Sequence, residues 1–299
     1  MAAPPGRARR RWAAWAFLAP VTVYLVVFYA YPLYRNLDLS LRDYTVRSFV
    51  EGNAPFAGLD HYRGVVRDPS FGPALWHTTV FTAVSIAFQF AIGLGLAVFF
   101  RRHFPLSRTL RALFLVPWLL PLIVSASTWS WMLNSESGVV NSVLQRLGGS
   151  PINWLTSPRW ALASVTIANI WIGIPFNLVL LHSGLEGIPA SIEEAAALDG
   201  AGPWRRFWRV TFPLLRPVSA ITLLLGLIYT LKVFDIVWIM TRGGPADSSS
   251  TLATWSYRLG FGNMLPAFSP GAAVGNLLIV LALLFGLIYI YAQRRQHAP

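Results

Sequence analysis

The chain has 299 residues, of which 55% are hydrophobic and only 12% are charged, and its formal net charge is +12. A soluble domain normally carries about twice that charged fraction, so the composition favours a membrane protein. The absence of cysteine excludes disulfides, cysteine-ligated zinc and a thiol nucleophile. The basic residues stand in short clusters between apolar runs and form no continuous basic face, so we predict no nucleic-acid partner.

Six stretches are long and apolar enough for a helix to cross a bilayer, which takes roughly 20 residues. They cover residues 12–34, 74–100, 112–133, 160–181, 218–240 and 271–292. The first stretch follows the basic run RARRR, as a signal peptide would, but it is uncharged and lacks an A-x-A-type end, so we interpret it as a retained anchor. We therefore predict an all-α membrane protein in which residues 1–299 form a single transmembrane domain surrounded by lipid.

The arginines predict the orientation of the spans. If the N-terminus is cytoplasmic, the inner segments carry about twice the density of basic residues found in the outer segments. We therefore predict that both termini are cytoplasmic and that the segment 183–217 faces the same side. The predicted outer loop 35–73 has five arginines and five acids, and we expect it to form a neutral, structured cap.

The segment 183–217 is polar although it lies between two apolar runs. We call it the EAA segment after its residues Glu194, Ala195 and Ala196. Ser191 stands three residues before Glu194, the spacing of a capping box at the start of a helix. Gly200 permits a positive φ that ends this helix, and Pro203 suits the first position of a second one. These signals predict an exposed helix-turn-helix. Its arginines alone are also typical of an ordinary linker beside a membrane.

The sequence EAAALDGAGPWRRFWRVTFP, within the EAA segment, resembles the EAA motif of binding-protein-dependent ABC transporter permeases, E-A-A-x-x-x-G-x9-I-x-L-P. The matching residues are Glu194, Ala195, Ala196, Gly200 and Pro213, while Val210 and Phe212 replace the isoleucine and the leucine. The stretches TRGGP at 241–245 and FAGLDHYRGVVRDPSFGPALWHT after the first span resemble the carbohydrate-importer branch. Within that branch the chain is similar to the permease that carries T-x-GGP in maltose, lactose, trehalose and glycerol-phosphate systems.

This resemblance implies the type I ABC importer permease fold, with six transmembrane helices in the bacterial cytoplasmic membrane. It further implies a heterodimer with a second homologous permease, two ATP-binding subunits and an extracytoplasmic substrate-binding protein. The chain would then be no enzyme and bind no cofactor, because Mg-ATP would sit on the partner ATPase. The sequence agrees in lacking a P-loop motif. The residues expected to couple the chain to the ATPase are Glu194, Ala195, Ala196, Asp199 and Gly200, with Glu194 making the most direct contact.

The resemblance to maltose-type permeases also implies a substrate pathway on the fourth and fifth spans. Its positions are Asn169, Ile172, Gly173, Phe176, Gly226, Tyr229, Thr230 and Asp235. An aromatic ring with amide, hydroxyl and carboxylate groups would suit a sugar, and a glycerol phosphate or polyol stays open as an alternative. Structural interpretations also stay open: Asn169 could bond a neighbouring helix, and Lys232 could pair with Asp235 three residues later on one helix face.

The sequence fits two other classes of membrane protein less well. An ion-gradient-driven secondary transporter typically shows inverted repeats, and this sequence shows no repeat. A membrane enzyme would need a catalytic constellation, and neither H-E-x-x-H nor G-x-S-x-G occurs. Uptake that stops without ATP and a binding protein would separate the ABC interpretation from both.

Overall fold

The computed structural model describes residues 7–102, 104–262 and 266–296, and every regular element in them is a helix. A single antiparallel bridge joins Arg42 and Phe56. Both chain ends, for which the sequence predicts a cytoplasmic location, lie outside the described residues. In chain order the α-helices are α1 Arg7–Leu25, α2 Tyr31–Leu41, α3 Val46–Glu51, α4 Asp60–Arg67, α5 Phe71–Phe100, α6 Ser107–Leu119, α7 Leu122–Met132, α8 Val139–Arg146, α9 Ala161–Glu186, α10 Ala190–Leu198, α11 Pro203–Arg206, α12 Phe212–Leu231, α13 Asp235–Thr241, α14 Leu252–Tyr257 and α15 Phe268–Gln296.

Short π-helical turns join some of these helices into longer ones. The turn Val26–Ala30 links α1 to α2, and the turn Phe207–Thr211 links α11 to α12. Five helical stretches among the described residues are long and apolar enough to cross a membrane. A sixth is added if α6 and α7 together form one span.

Two of the predicted spans are interrupted. The stretch 112–133 is divided between α6 and α7, whose axes differ by 96° across Leu120 and Pro121. The stretch 218–240 is divided as well, because α12 ends at Leu231 and α13 begins only at Asp235. Hydropathy averaged over a window does not detect such breaks, since the residues on both sides are apolar. Broken helices are tolerated at membrane depth where they line a protein cavity.

The chain divides into two compact units, of which the first comprises residues 1–66 and 256–276. Within it, Asn276 is the centre of a polar cluster: its amide nitrogen donates to Ser40 Oγ at 2.9 Å and to Tyr62 Oη at 3.0 Å. Asp38 accepts from Arg42 Nε at 2.8 Å and from Arg35 at 3.1 Å. Arg35 and Arg42 of the predicted outer loop are therefore both paired with an acid of the same loop.

The second unit comprises residues 67–255 and 277–299. Its centre is the long contact between α5 and α9, against which α6 and α12 also pack. Close approach depends on glycine at one point: a β-carbon on Gly93 would lie 2.5 Å from Cβ of Asn177. Small residues let membrane helices approach in this way. Fully buried leucines fill the interface at one end, among them Leu178, Leu181 and Leu215.

Candidate functional site

A cavity of about 610 Å³ opens among α9, α12, the break after Leu231 and the break between α6 and α7. The structure brings together all eight positions of the expected substrate pathway, since each of them lines this cavity: Asn169, Ile172, Gly173, Phe176, Gly226, Tyr229, Thr230 and Asp235. The wall is completed by residues outside that set, including Gln89, Trp118, Leu120, Leu122 and Lys232. Pro121 stands between the wall residues Leu120 and Leu122. It is the sequence signal for the break that brings these two leucines to the wall.

Three aromatic side chains form a row along the cavity. The ring of Phe176 lies between those of Trp118 and Tyr229, with centroid distances of 6.2 Å and 5.7 Å. The ring planes of Phe176 and Tyr229 meet at 82°, an edge-to-face contact. Large, rigid and partly exposed rings with a hydroxyl at one end offer both apolar and polar contact to a ligand.

The polar part of the wall is held by hydrogen bonds between α5 and α9. Asn169 Nδ2 donates to Ser85 Oγ at 2.9 Å, and Gln89 Nε2 donates to the backbone oxygen of Asn169 at 2.8 Å. All three side chains are buried. Asn169 therefore does bond a neighbouring helix, and the same bond fixes the direction of its amide at the cavity wall.

Lys232 and Asp235 do not form the pair on one helix face that the sequence left open as an alternative. Lys232 follows the last residue of α12, whereas Asp235 is the first residue of α13, so the two do not share a helix. No ion pair joins them among the described residues, and both side chains are exposed at the cavity. Instead, Lys232 Nζ lies 5.0 Å from the ring centroid of Tyr229, within cation–π distance.

The EAA segment forms the predicted helix-turn-helix. Gly200 has φ +79°, and the N–H groups of Gly200 and Ala201 donate to the carbonyls of Ala197 and Ala196, both at 3.0 Å. These two bonds are a Schellman motif, which satisfies carbonyls left open at the end of α10. Pro203 occupies the start of α11, as predicted. The turn is thus set by local sequence.

The predicted capping box at Ser191 is wrong. Helix α10 begins at Ala190, and no side chain caps its N-terminus. The carbonyl of Pro189 accepts from the N–H of Ile192 at 3.2 Å, which closes the first turn before Ser191 could act as a cap. Ser191 is therefore already helical.

Four of the expected coupling residues, Glu194, Ala195, Asp199 and Gly200, are exposed, and the fifth, Ala196, is half-buried. The preceding acid behaves differently. Glu193 Oε1 accepts from Arg101 and from Thr211 Oγ1, the latter at 2.9 Å. Burial raises the pKa of Glu193, but these two hydrogen bonds and the charges of Arg101 and Arg206 outweigh it, so the pKa lies below its usual value. No local sequence pattern predicts these contacts of Glu193, because its partners are distant in sequence.

Comparison with known proteins identifies the family. Residues 89–297 match the model of the binding-protein-dependent transport system inner membrane component. The chain belongs to this family. It is therefore a multi-pass protein of the inner membrane. Members of this family are permease subunits, and ATP is hydrolysed by a separate subunit.

Named relatives cover nearly the whole chain. The sulfoquinovosyl glycerol transport system permease protein of Agrobacterium fabrum is 35% identical over 85% of this chain and 88% of its own length. The trehalose/maltose transport system permease protein of Thermococcus litoralis is 35% identical over 93% of this chain and 92% of its own. Both are permeases, in agreement with the resemblance noted in the sequence.

The fold has close solved counterparts. A bacterial alginate ABC transporter, crystallised in complex with an alginate pentasaccharide-bound periplasmic protein, contains a chain that superposes with a TM-score of 0.82. The match covers 96% of both chains at 23% sequence identity. The described helices therefore have the ABC importer permease fold.

Proposed function

We propose that the chain is one of two homologous pore subunits of an ATP-driven importer for a sugar or sugar derivative. Two ATP-binding subunits would carry Mg-ATP, and an extracytoplasmic binding protein would deliver the substrate. The relatives named for sulfoquinovosyl glycerol and for trehalose and maltose support a carbohydrate, and the likeness to a transporter solved with its periplasmic protein supports the delivery step. Both chain ends and the EAA segment would face the cytoplasm.

The cavity between α9 and α12 is the observation that carries this proposal. Its aromatic row offers ring faces and edges, and Asn169, Thr230 and Asp235 supply amide, hydroxyl and carboxylate groups. Sugars present apolar C–H patches beside hydroxyls, so they fit a wall that has aromatic rings beside polar side chains. Gly226 adds open space, since a β-carbon there would meet no atom within 4 Å.

Coupling to the ATPase would run through the EAA segment. Glu194 is exposed next to the small residues Ala195 and Ala196, which allow another backbone to approach closely. The turn at Gly200 and the neighbouring Asp199 would fix the angle at which this surface meets the ATPase. Closure of the ATPase on ATP would then move the segment and open the pore to alternate sides.

The proposal can be tested with the assembled transporter in proteoliposomes. Uptake of radiolabelled trehalose, maltose and lactose would be followed with binding protein and ATP, and with each omitted in turn. We expect uptake of at least one of these sugars, and only when the binding protein and ATP are both present. Uptake by the purified chain alone under a proton gradient would instead support a secondary transporter.

Lys232 favours a second candidate class, the glycerol phosphates. Its ammonium group lines the cavity and has no carboxylate partner among the described residues. An ammonium in that position would attract a phosphate on a small polyol. Competition of sn-glycerol 3-phosphate, but not of glycerol, against uptake would favour this class, and Lys232→Gln should abolish that competition. Equal competition by both compounds would exclude it.

A further inference from the structure

Glu193 joins three helical elements through one carboxylate oxygen. It lies in the first turn of α10 and accepts from Arg101, which follows the last residue of α5. The same oxygen accepts from Thr211 Oγ1 at 2.9 Å, at the end of the π-helical turn that leads into α12. The short helix that carries the EAA motif is therefore tied to the ends of two long apolar helices.

Little else holds α10. None of its residues is buried, and Leu198 at its end is 89% exposed. Among the described residues, all side-chain hydrogen bonds from α10 to other elements come from Glu193. Successive residues of a helix point about 100° apart, so Glu193 faces inward while the neighbouring Glu194 is exposed. The two adjacent acids thus have different surroundings.

The electrostatics favour a lasting link. The side chains of Arg101 and Glu193 are each only 26% exposed. Solvent therefore screens this pair less than it screens a pair at the surface. A cation after the end of α5 and an acid in the first turn of α10 both complement the helix dipoles. Because the pKa of Glu193 lies below its usual value, the carboxylate is ionised at neutral pH.

We infer that Glu193 is a positioning residue that transmits movement of α10 to α5 and α12. The inference rests on the proposed coupling function of the EAA segment. Glu194 would contact the ATPase, whereas Glu193 would contact only its own chain. A displaced α10 pulls on the end of α5 through Arg101 and on the start of α12 through Thr211. Both long helices meet α9, which lines the cavity.

The test uses the assembled transporter in proteoliposomes, with trehalose as the probe, or whichever of the three test sugars the wild-type transporter takes up. The quantity measured is ATP hydrolysed per molecule taken up. We expect Glu193→Gln to raise this ratio by about tenfold, the scale of one lost charge-assisted hydrogen bond. The double variant Arg101→Glu with Glu193→Arg reverses the pair and should restore most of the wild-type ratio. A wild-type ratio in Glu193→Gln would overturn the inference, and so would a double variant no better than its single variants.

A milder variant covers the case in which Glu193→Gln fails to assemble. Thr211→Val removes only the neutral hydrogen bond, and we expect a ratio between those of wild type and Glu193→Gln. An unchanged ratio in Thr211→Val would count against the inference. Failure of the proposed function looks different, since the wild-type transporter would then show no ATP-dependent uptake. If the wild type is coupled and Glu194→Lys uncouples it, the proposed function stands, and the Glu193 and Thr211 variants decide the inference.

Discussion

Gly173 and Gln89 face each other so closely that a β-carbon on the glycine would lie 2.2 Å from Cδ of the glutamine. The absent side chain therefore makes room for the amide that reaches the Asn169 carbonyl. Gly173→Ala should push the end of Gln89 out of this position, and loss of its hydrogen bond should lower stability by about 1–3 kcal/mol relative to Gly226→Ala, which gains the same helix propensity. Thermal unfolding of the detergent-solubilised protein measures the effect. Gly226→Ala is the matched control, because its β-carbon meets no atom within 4 Å, and equal unfolding temperatures would contradict the prediction.

A larger residue at Gly226 should obstruct the cavity without disturbing the fold. Gly226→Leu places its side chain in the open space beside Tyr229. We expect uptake to fall about tenfold, which corresponds to a cost of ~1.4 kcal/mol, while the unfolding temperature stays near that of wild type. Initial uptake rates in proteoliposomes test this. Undiminished uptake by Gly226→Leu would remove the cavity from the substrate pathway.

The aromatic row predicts different outcomes for two changes at Tyr229. Tyr229→Phe keeps the ring against Phe176, whereas Tyr229→Ala removes it. Aromatic contacts contribute about 0.5–1.5 kcal/mol, so Tyr229→Ala should raise the KM for uptake by about two- to tenfold and Tyr229→Phe should raise it less. If both variants weaken uptake equally, the hydroxyl and not the ring makes the important contact.

Gly200 and Gly202 provide a matched pair for testing the turn of the EAA segment. A β-carbon at either position meets no atom within 4 Å, but only Gly200 has a positive φ. Gly200→Val should therefore strain the backbone by about 1–2 kcal/mol and reduce uptake, whereas Gly202→Val should change little. Co-purification of the ATP-binding subunit and uptake are the measurements. Equal effects at both positions would mean that bulk, not backbone conformation, matters here.

The exposed acid of the motif gives a separate prediction. Glu194→Lys reverses the charge of a side chain that faces away from its own chain. We expect the ATP-binding subunit to dissociate or its hydrolysis to become uncoupled from uptake, while the unfolding temperature of the chain is unchanged. Normal uptake together with normal co-purification would show that Glu194 does not couple the subunits.

The sequence predicts the helices better than it predicts their interruptions. Apolar runs locate the long helices because each needs a continuous apolar surface. Pro121 stands at a sharp bend, yet Pro117 lies inside α6 without ending it, so proline alone does not identify a break. The break after Leu231 has neither glycine nor proline, so nothing in the sequence shows that Lys232 and Asp235 belong to different helices.

For the candidate site, the difference between local and distant contacts decides what can be predicted. The turn at Gly200 follows from residues within one short segment. The cavity positions came from a family resemblance, and their convergence on one wall depends on how α9 and α12 pack. The contacts of Glu193 depend on Arg101, 92 positions earlier, so no local pattern reveals them.

The break between α6 and α7 has a consequence for how this pore should be dissected. A helix that ends leaves its last carbonyl groups without the amide partners of a further turn. Here α6 ends at Leu119, and the next residue, Leu120, lies on the cavity wall before Pro121, which has no N–H. If the cavity takes a sugar as proposed, main-chain oxygens at this break would add acceptors for its hydroxyls. A scan that replaces side chains one at a time would leave those acceptors in place, so it would underestimate the contribution of this wall to binding.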